Sequence, residues 1–230
     1  MLYKKQIQQY NQNVDQNYGI LVKDICSKKK VLKSTYTAII KKIPYEIKAK
    51  IKWTDSFKKQ FENNEWHNIF TLPKKTTLDS QTRIFQYKIL HKILPTNKLL
   101  YIYNIKDDPS CDKCPNTIVD LEHSLHLCPV VLELWYTIAE WLSPEIDMFQ
   151  YINSENIILG IYTENKLLYN TIILAIKRYI YLNKCNNTLI TMIGAKFYLR
   201  NIMLLETNTQ SEKGKMHYIQ KWQPIFQKLV

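Results

Sequence analysis

Residues 111–128, "CDKCPNTIVDLEHSLHLC", and their continuation 129–144, "PVVLELWYTIAEWLSP", decide how this chain is read. The first stretch holds three of the five cysteines and two of the five histidines in 230 residues. Cys111 and Cys114 are spaced C-x2-C, which lets a tight turn aim two thiolates at one cation, with Pro115 and Asn116 supplying turn chemistry beside them. The other ligands must come from His123, His126 and Cys128. On a helix of 3.6 residues per turn, His123 and Cys128 stand about 140° apart, so both ligate only if the helix ends between them. Pro129 supplies that ending, because it disfavours α geometry at Cys128. His126 diverges from Cys128 by about 200° while the helix persists, which ranks it below His123 as the histidine ligand. The expected site is therefore Cys111, Cys114, His123 and Cys128, spaced C-x2-C-x8-H-x4-C, with zinc as the natural ion and His126 as the competing ligand. Four protein ligands close the coordination sphere, so the zinc is expected to be structural.

Outward from this knot the apolar spacing is helical. Pro129 starts a helix whose stripe is Val131, Leu134, Trp135, Ile138 and Leu142, with Pro144 just past its end. "NKLLYNTIILAIKRYIYLNKCNN" and "TMIGAKFYLRNIMLLE" predict two further helices of the bundle. Upstream, in "DSQTRIFQYKILHKILPTNKLL", Asp79 or Ser80 can cap, Phe85, Ile89 and Ile93 recur at four-residue steps, and Pro95 disfavours helix at Leu94. Arg83, Lys88 and Lys92 occupy other faces of that helix, as phosphate contacts or as solvated surface. "WTDSFKKQFENNEWHNIFTLP" sets Trp53, Phe57, Phe61, Ile69 and Phe70 toward a core and is expected to end at Pro73. Before it, Tyr36, Ile39, Ile40 and Ile43 outline a basic amphipathic helix that Pro44 interrupts. The resulting division is a polar basic extension or truncated element at 1–33, a basic helical segment at 34–104, a zinc-binding module at 105–145 and a C-terminal helical segment at 146–230. The fold class expected is mainly α, a helical bundle around a small Cys3His zinc knuckle.

Composition agrees. Hydrophobic residues are 46% and charged residues 23% of the chain, the balance of a folded protein, and four glycines argue against a glycine-rich phosphate loop or a turn-dense β fold. The net charge of +12 points to a polyanionic partner. It is unevenly spread: Lys and Arg exceed Asp and Glu by 8 in residues 1–50, by 4 in 51–110 and by 6 in 151–230, whereas residues 111–150 carry 1 basic against 7 acidic groups. A basic chain thus surrounds one acidic island, which holds the cysteines. The excess of Lys, Asn, Ile and Tyr also suits AT-rich coding, in which case the lysines are only surface. An odd number of cysteines, no signal-peptide core and no apolar run of roughly 18 residues lead to the expectation of a reducing, intracellular compartment, cytoplasm or nucleus, with no membrane partner.

Catalytic readings fare worse. A Cys114 nucleophile with a histidine base explains fewer residues than the metal site does. Asp107 and Asp108 resemble a polymerase's magnesium pair in type, but they lie in a polar turn leading into Cys111. No P-loop, H-E-x-x-H or G-x-S-x-G occurs, and no small-molecule substrate is expected.

The ordered string "RIFQYKILHKILPTNKLLYIYNIKDDPSCDKC", then Glu122-His123, Cys128-Pro129 and Trp135, resembles the zinc-binding region that follows the reverse transcriptase domain in the second open reading frame product of LINE-type, non-LTR retrotransposons. The resemblance runs over roughly residues 30–225. Two departures are Asn104, where that family usually has Gly, and Ser124, where it commonly has an apolar residue. The resemblance implies a mainly helical, non-catalytic region that binds template RNA or single-stranded DNA and supports RNA-templated DNA synthesis. It also implies a fragment or a truncated, decayed copy, because the polymerase's aromatic-x-Asp-Asp hairpin and the endonuclease are lacking. A zinc-stabilised protein–protein interaction module is the alternative.

Overall fold

Helix α1, Lys48–Phe57, buries Ala49 and Trp53, one turn apart, and the Trp53 indole N–H donates to the Leu90 carbonyl at 2.8 Å. The computed structural model describes residues 47–208 and 212–230. The extension expected at 1–33 and the helix expected around Tyr36–Ile43 lie outside these residues. Among those described, 48–230 form one compact unit.

Helix α2, Asn63–Thr76, opens with a reciprocal capping box between Glu62 and Glu65. It buries Trp66, Ile69, Pro73 and Thr76 on one face. The end expected at Pro73 is overtaken by one turn. Pro73 has no N–H for the Ile69 carbonyl, yet its ring is buried, and the Thr76 hydroxyl closes the turn on the Leu72 and Pro73 carbonyls at 3.0 and 3.3 Å. Helix α3, Ser80–Leu90, is capped by Asp79, whose carboxylate accepts the Gln81 and Thr82 amides at 3.0 and 3.1 Å. It ends before Pro95 through Lys92, which takes the left-handed conformation at φ 54°. Thr96 caps the short α4, Asn97–Ile102, and Asn104 follows at φ 54°. A β1–β2 hairpin, Ser110–Cys111 with Cys114–Ile118, pairs Cys111 with Cys114.

Next come a π-helical turn at His123–Leu127 and α5, Pro129–Leu142, whose buried residues include all five of the expected stripe. Helix α6, Ser154–Leu159, ends at Gly160, where φ is +88° and a Cβ would sit 2.2 Å from Leu72 Cδ2. Helices α7, Leu167–Cys185, and α8, Met192–Asn208, cover the two expected C-terminal helices. Helices α9, Glu212–Trp222, and α10, Phe226–Leu229, complete the chain.

The architecture is mainly α, with α7 at the centre packed against α2, α3, α8, α9 and the π turn. One hydrophobic core runs from Trp53 to Leu229 and includes Trp135 and Trp222. A buried ion pair joins α8 to α9: Lys221 meets Glu206, which also accepts the Trp222 indole N–H at 2.8 Å. No described helix is long and apolar enough to cross a membrane.

Candidate metal centre

Three local devices converge on one point. The hairpin turns Cys111 and Cys114 the same way. Within β2, Asn116 takes φ 62°, a conformation Asn tolerates. The second device is the π turn. Its hydrogen bond from the Cys128 amide to the His123 carbonyl, 3.0 Å, spans five residues rather than four. His123 and Cys128 are thereby stacked over one another, where an α-helix would have splayed them. The third is the step from π turn to α5: Cys128 leaves helical geometry at φ −62°, ψ 127° and becomes the N-cap, with Pro129 at the first helical position. The Pro129 effect anticipated from the sequence is present, and the widened turn adds to it.

The ligand atoms of Cys111, Cys114, His123 and Cys128 all lie within 4.8 Å of one another, and this group can hold a metal ion. The Cys114 and Cys128 sulfurs are 3.8 Å apart. His123 is buried, and its Nε2 has no hydrogen-bond partner among the described residues, which suits a ligand atom. His126 points elsewhere: its Nδ1 shares a 2.9 Å hydrogen bond with the Ser154 hydroxyl, although its Nε2 is also buried and unpartnered among the described residues. The cluster includes His123 and not His126.

Neighbouring groups hold the site in place. The Asp120 carboxylate accepts the His123 amide at 2.9 Å and starts the turn. At its other end the Leu125 carbonyl accepts the Trp135 indole N–H at 2.9 Å, and the Ser124 carbonyl accepts the Lys184 ammonium at 2.8 Å. Those two carbonyls sit where a helix end leaves acceptors without partners. Helices α5 and α7 each send one side chain to satisfy them.

The electrostatics favour the ligating form at His123 and Cys111 and oppose it at Cys114. Burial, then the charge of Lys184, holds the His123 imidazole below its ordinary pKa, so it is neutral and able to donate a lone pair. At Cys111 burial pushes the thiol up, but the Lys113 and Cys114 amides and the neighbouring sulfurs outweigh it and hold the pKa below the usual range. Cys114 is pushed up to about 11, by burial and by its contacts with Cys111 and Cys128.

The basic candidates do not form one cluster. Lys88 is exposed. Arg83 donates its Nε to the Thr77 carbonyl at 2.8 Å. Lys92 is folded inward: its ammonium donates to the Lys52 carbonyl at 3.1 Å and to the Ser56 hydroxyl, and lies 4.1 Å from the centre of the Trp53 ring. Burial lowers its pKa. The sequence carried no signal for this, because Lys52 and Ser56 are brought to it by packing of α1 on α3. Lys184 was equally unmarked, a lone basic residue near the end of an apolar helix.

Comparison with protein-family models, with curated proteins and with solved structures returns no match.

Proposed function

We propose that residues 48–230 form a non-catalytic, zinc-stabilised nucleic-acid-binding module of the kind that follows the reverse transcriptase domain in LINE-type retrotransposon proteins. The observation that carries the reading is the convergence of Cys111, Cys114, His123 and Cys128, the motif's own metal-ligand positions, within 4.8 Å. Zinc is the ion of choice for three thiolates and an imidazole. Tetrahedral zinc with Zn–S bonds of about 2.3 Å separates its sulfurs by about 3.8 Å, and the Cys114–Cys128 separation is 3.8 Å. Support for the wider motif comes from Asn104, which takes the left-handed conformation at φ 54° where the resembled family usually has Gly.

Nucleic acid is the partner that the charge favours. The metal segment is acidic, and three thiolates around a divalent cation add a further negative charge, so phosphates are met by the basic helices and not by the ion. Anisotropy of a labelled single-stranded RNA or DNA oligonucleotide, titrated with folded, zinc-loaded protein over a range of salt, tests this. The expected result is binding whose log affinity falls linearly with log salt, with a shallower slope in Lys88→Glu. Failure to bind at low salt would overturn the reading. The protein–protein alternative draws on Ile193 and Phe197, two turn-spaced apolar side chains on α8 that are exposed. It expects Lys88→Glu to change nothing.

A further inference from the structure

In the segment "RIFQYKILHKIL" most side chains are accounted for by packing. Phe85, Ile89 and Leu94 are buried in the core. Gln86 is buried too, donating to the Ile158 carbonyl at 2.9 Å and accepting from Lys177 at 2.7 Å. Tyr87 is not accounted for in this way: its side chain is 54% exposed, and no core position requires it.

It is nevertheless held. The Tyr87 ring lies 4.2 Å, centroid to centroid, from the imidazole of His91, the C-cap of α3. His91 lies 6.1 Å from Phe70 on α2, which stacks on Trp66 at 5.7 Å, and Trp66 packs on Phe61 at 4.9 Å. Trp66 is 3% exposed. A continuous run of rings therefore leads from the core to solvent and ends at Tyr87. A ring supported in this way loses little freedom on gaining a further stacking partner. The charges beside it are positive. Lys88 is the next residue and is exposed, and Arg83 lies one turn back in the same four-residue row, its guanidinium oriented by the Thr77 carbonyl. No acidic residue occurs within Ser80–Leu90, and the acidic cap Asp79, one turn before Arg83, is engaged by the Gln81 and Thr82 amides and by Arg178 at 3.2 Å.

A solvent-facing aromatic ring with cations on either side suits a chain of unpaired bases: the ring takes the π-face of a base and the cations take the flanking phosphates. We propose that Tyr87 is a base-stacking platform for single-stranded nucleic acid, with Lys88 and Arg83 as its phosphate contacts. This rests on the nucleic-acid reading above and assigns it a surface. Paired bases in a duplex are stacked on one another and offer no free face, so the platform selects single strands.

The test compares wild type, Tyr87→Leu and Tyr87→Phe in binding oligo(dT), a duplex of the same length, and inorganic polyphosphate, which has charge but no bases. Thermal unfolding of each variant confirms that the exposed substitution leaves the fold intact. Tyr87→Leu is expected to weaken oligo(dT) binding roughly 5- to 100-fold at unchanged salt slope. It should leave duplex and polyphosphate binding as they are, and Tyr87→Phe should retain wild-type affinity. Equal oligo(dT) affinity in wild type and Tyr87→Leu, or equal losses for oligo(dT) and polyphosphate, would overturn the platform and leave the nucleic-acid reading standing. Wild-type protein that binds none of the probes would remove both.

Discussion

A divalent cation held by three thiolates and an imidazole would leave a net negative charge in a partly buried place, and Lys184 stands where it would offset that charge. Lys184 donates to the Ser124 carbonyl at 2.8 Å, and although burial lowers its pKa, the Cys128, Cys111 and Cys114 sulfurs act in the opposite direction and favour its charged form. Replacing it by Met removes both the cation and the partner of the Ser124 carbonyl. Lys184→Met is expected to hold its metal about 10-fold more weakly in competition with a chelator, the effect typical of losing an outer-shell partner. Wild-type retention would show that the lysine plays no part. Lys184 also marks where the sequence stopped being informative. Cys111, Cys114, His123 and Cys128 lie within eighteen residues and could be paired by spacing alone, whereas Lys184 reaches its acceptor across 60 positions. Asn104 and Asn116 are the opposite case, since Asn tolerates the left-handed conformation both adopt.

At the scale of elements, the helices with long apolar stripes were legible: α5, α7 and α8 stand where periodicity put them. The misreadings came where a local rule met a tertiary contact. Pro73 lies within α2 because its ring is buried, and the π turn depends on side chains arriving from α5 and α7. Helix α7 contains a further case. Lys177, a charged residue set in an apolar stretch of the sequence, is 1% exposed, and among the described residues it bonds to neutral acceptors, Gln86 on α3 at 2.7 Å and the Ile158 carbonyl at 3.1 Å. Burial lowers its pKa from 10.5 to about 7. Between those values the unfolded chain binds more protons than the native one, so stability rises as pH increases from about 7 toward 10.5 and is lost on the way back down. Denaturant unfolding of wild type and Lys177→Met across this window is expected to differ in slope by up to roughly 1.4 kcal/mol per pH unit, the variant being flatter. Parallel pH profiles would contradict the assignment.

Over the whole molecule, the candidate metal ligands and the basic residues are segregated along the chain. Residues 111–150 carry 1 basic against 7 acidic groups, and they fold onto the core through Leu125, Cys128 and the α5 stripe. The basic excess of the described residues lies in the sequence on either side, in 51–110 and 151–230. This separation was readable from composition, and so was the mainly helical class, because four glycines and scarce alternation leave little else. Which cations face outward was not: Lys92 turned inward under α1, while Lys88, in the same run, stayed exposed. In the function proposed above, one zinc ion held by Cys111, Cys114, His123 and Cys128 closes the acidic knot. Metal content per chain, measured on wild type, His123→Ala and His126→Ala purified in parallel, tests it most directly. One zinc per chain in wild type and His126→Ala, and none in His123→Ala, is the expected result. A zinc-free wild type, or loss of zinc from His126→Ala with retention in His123→Ala, would contradict it.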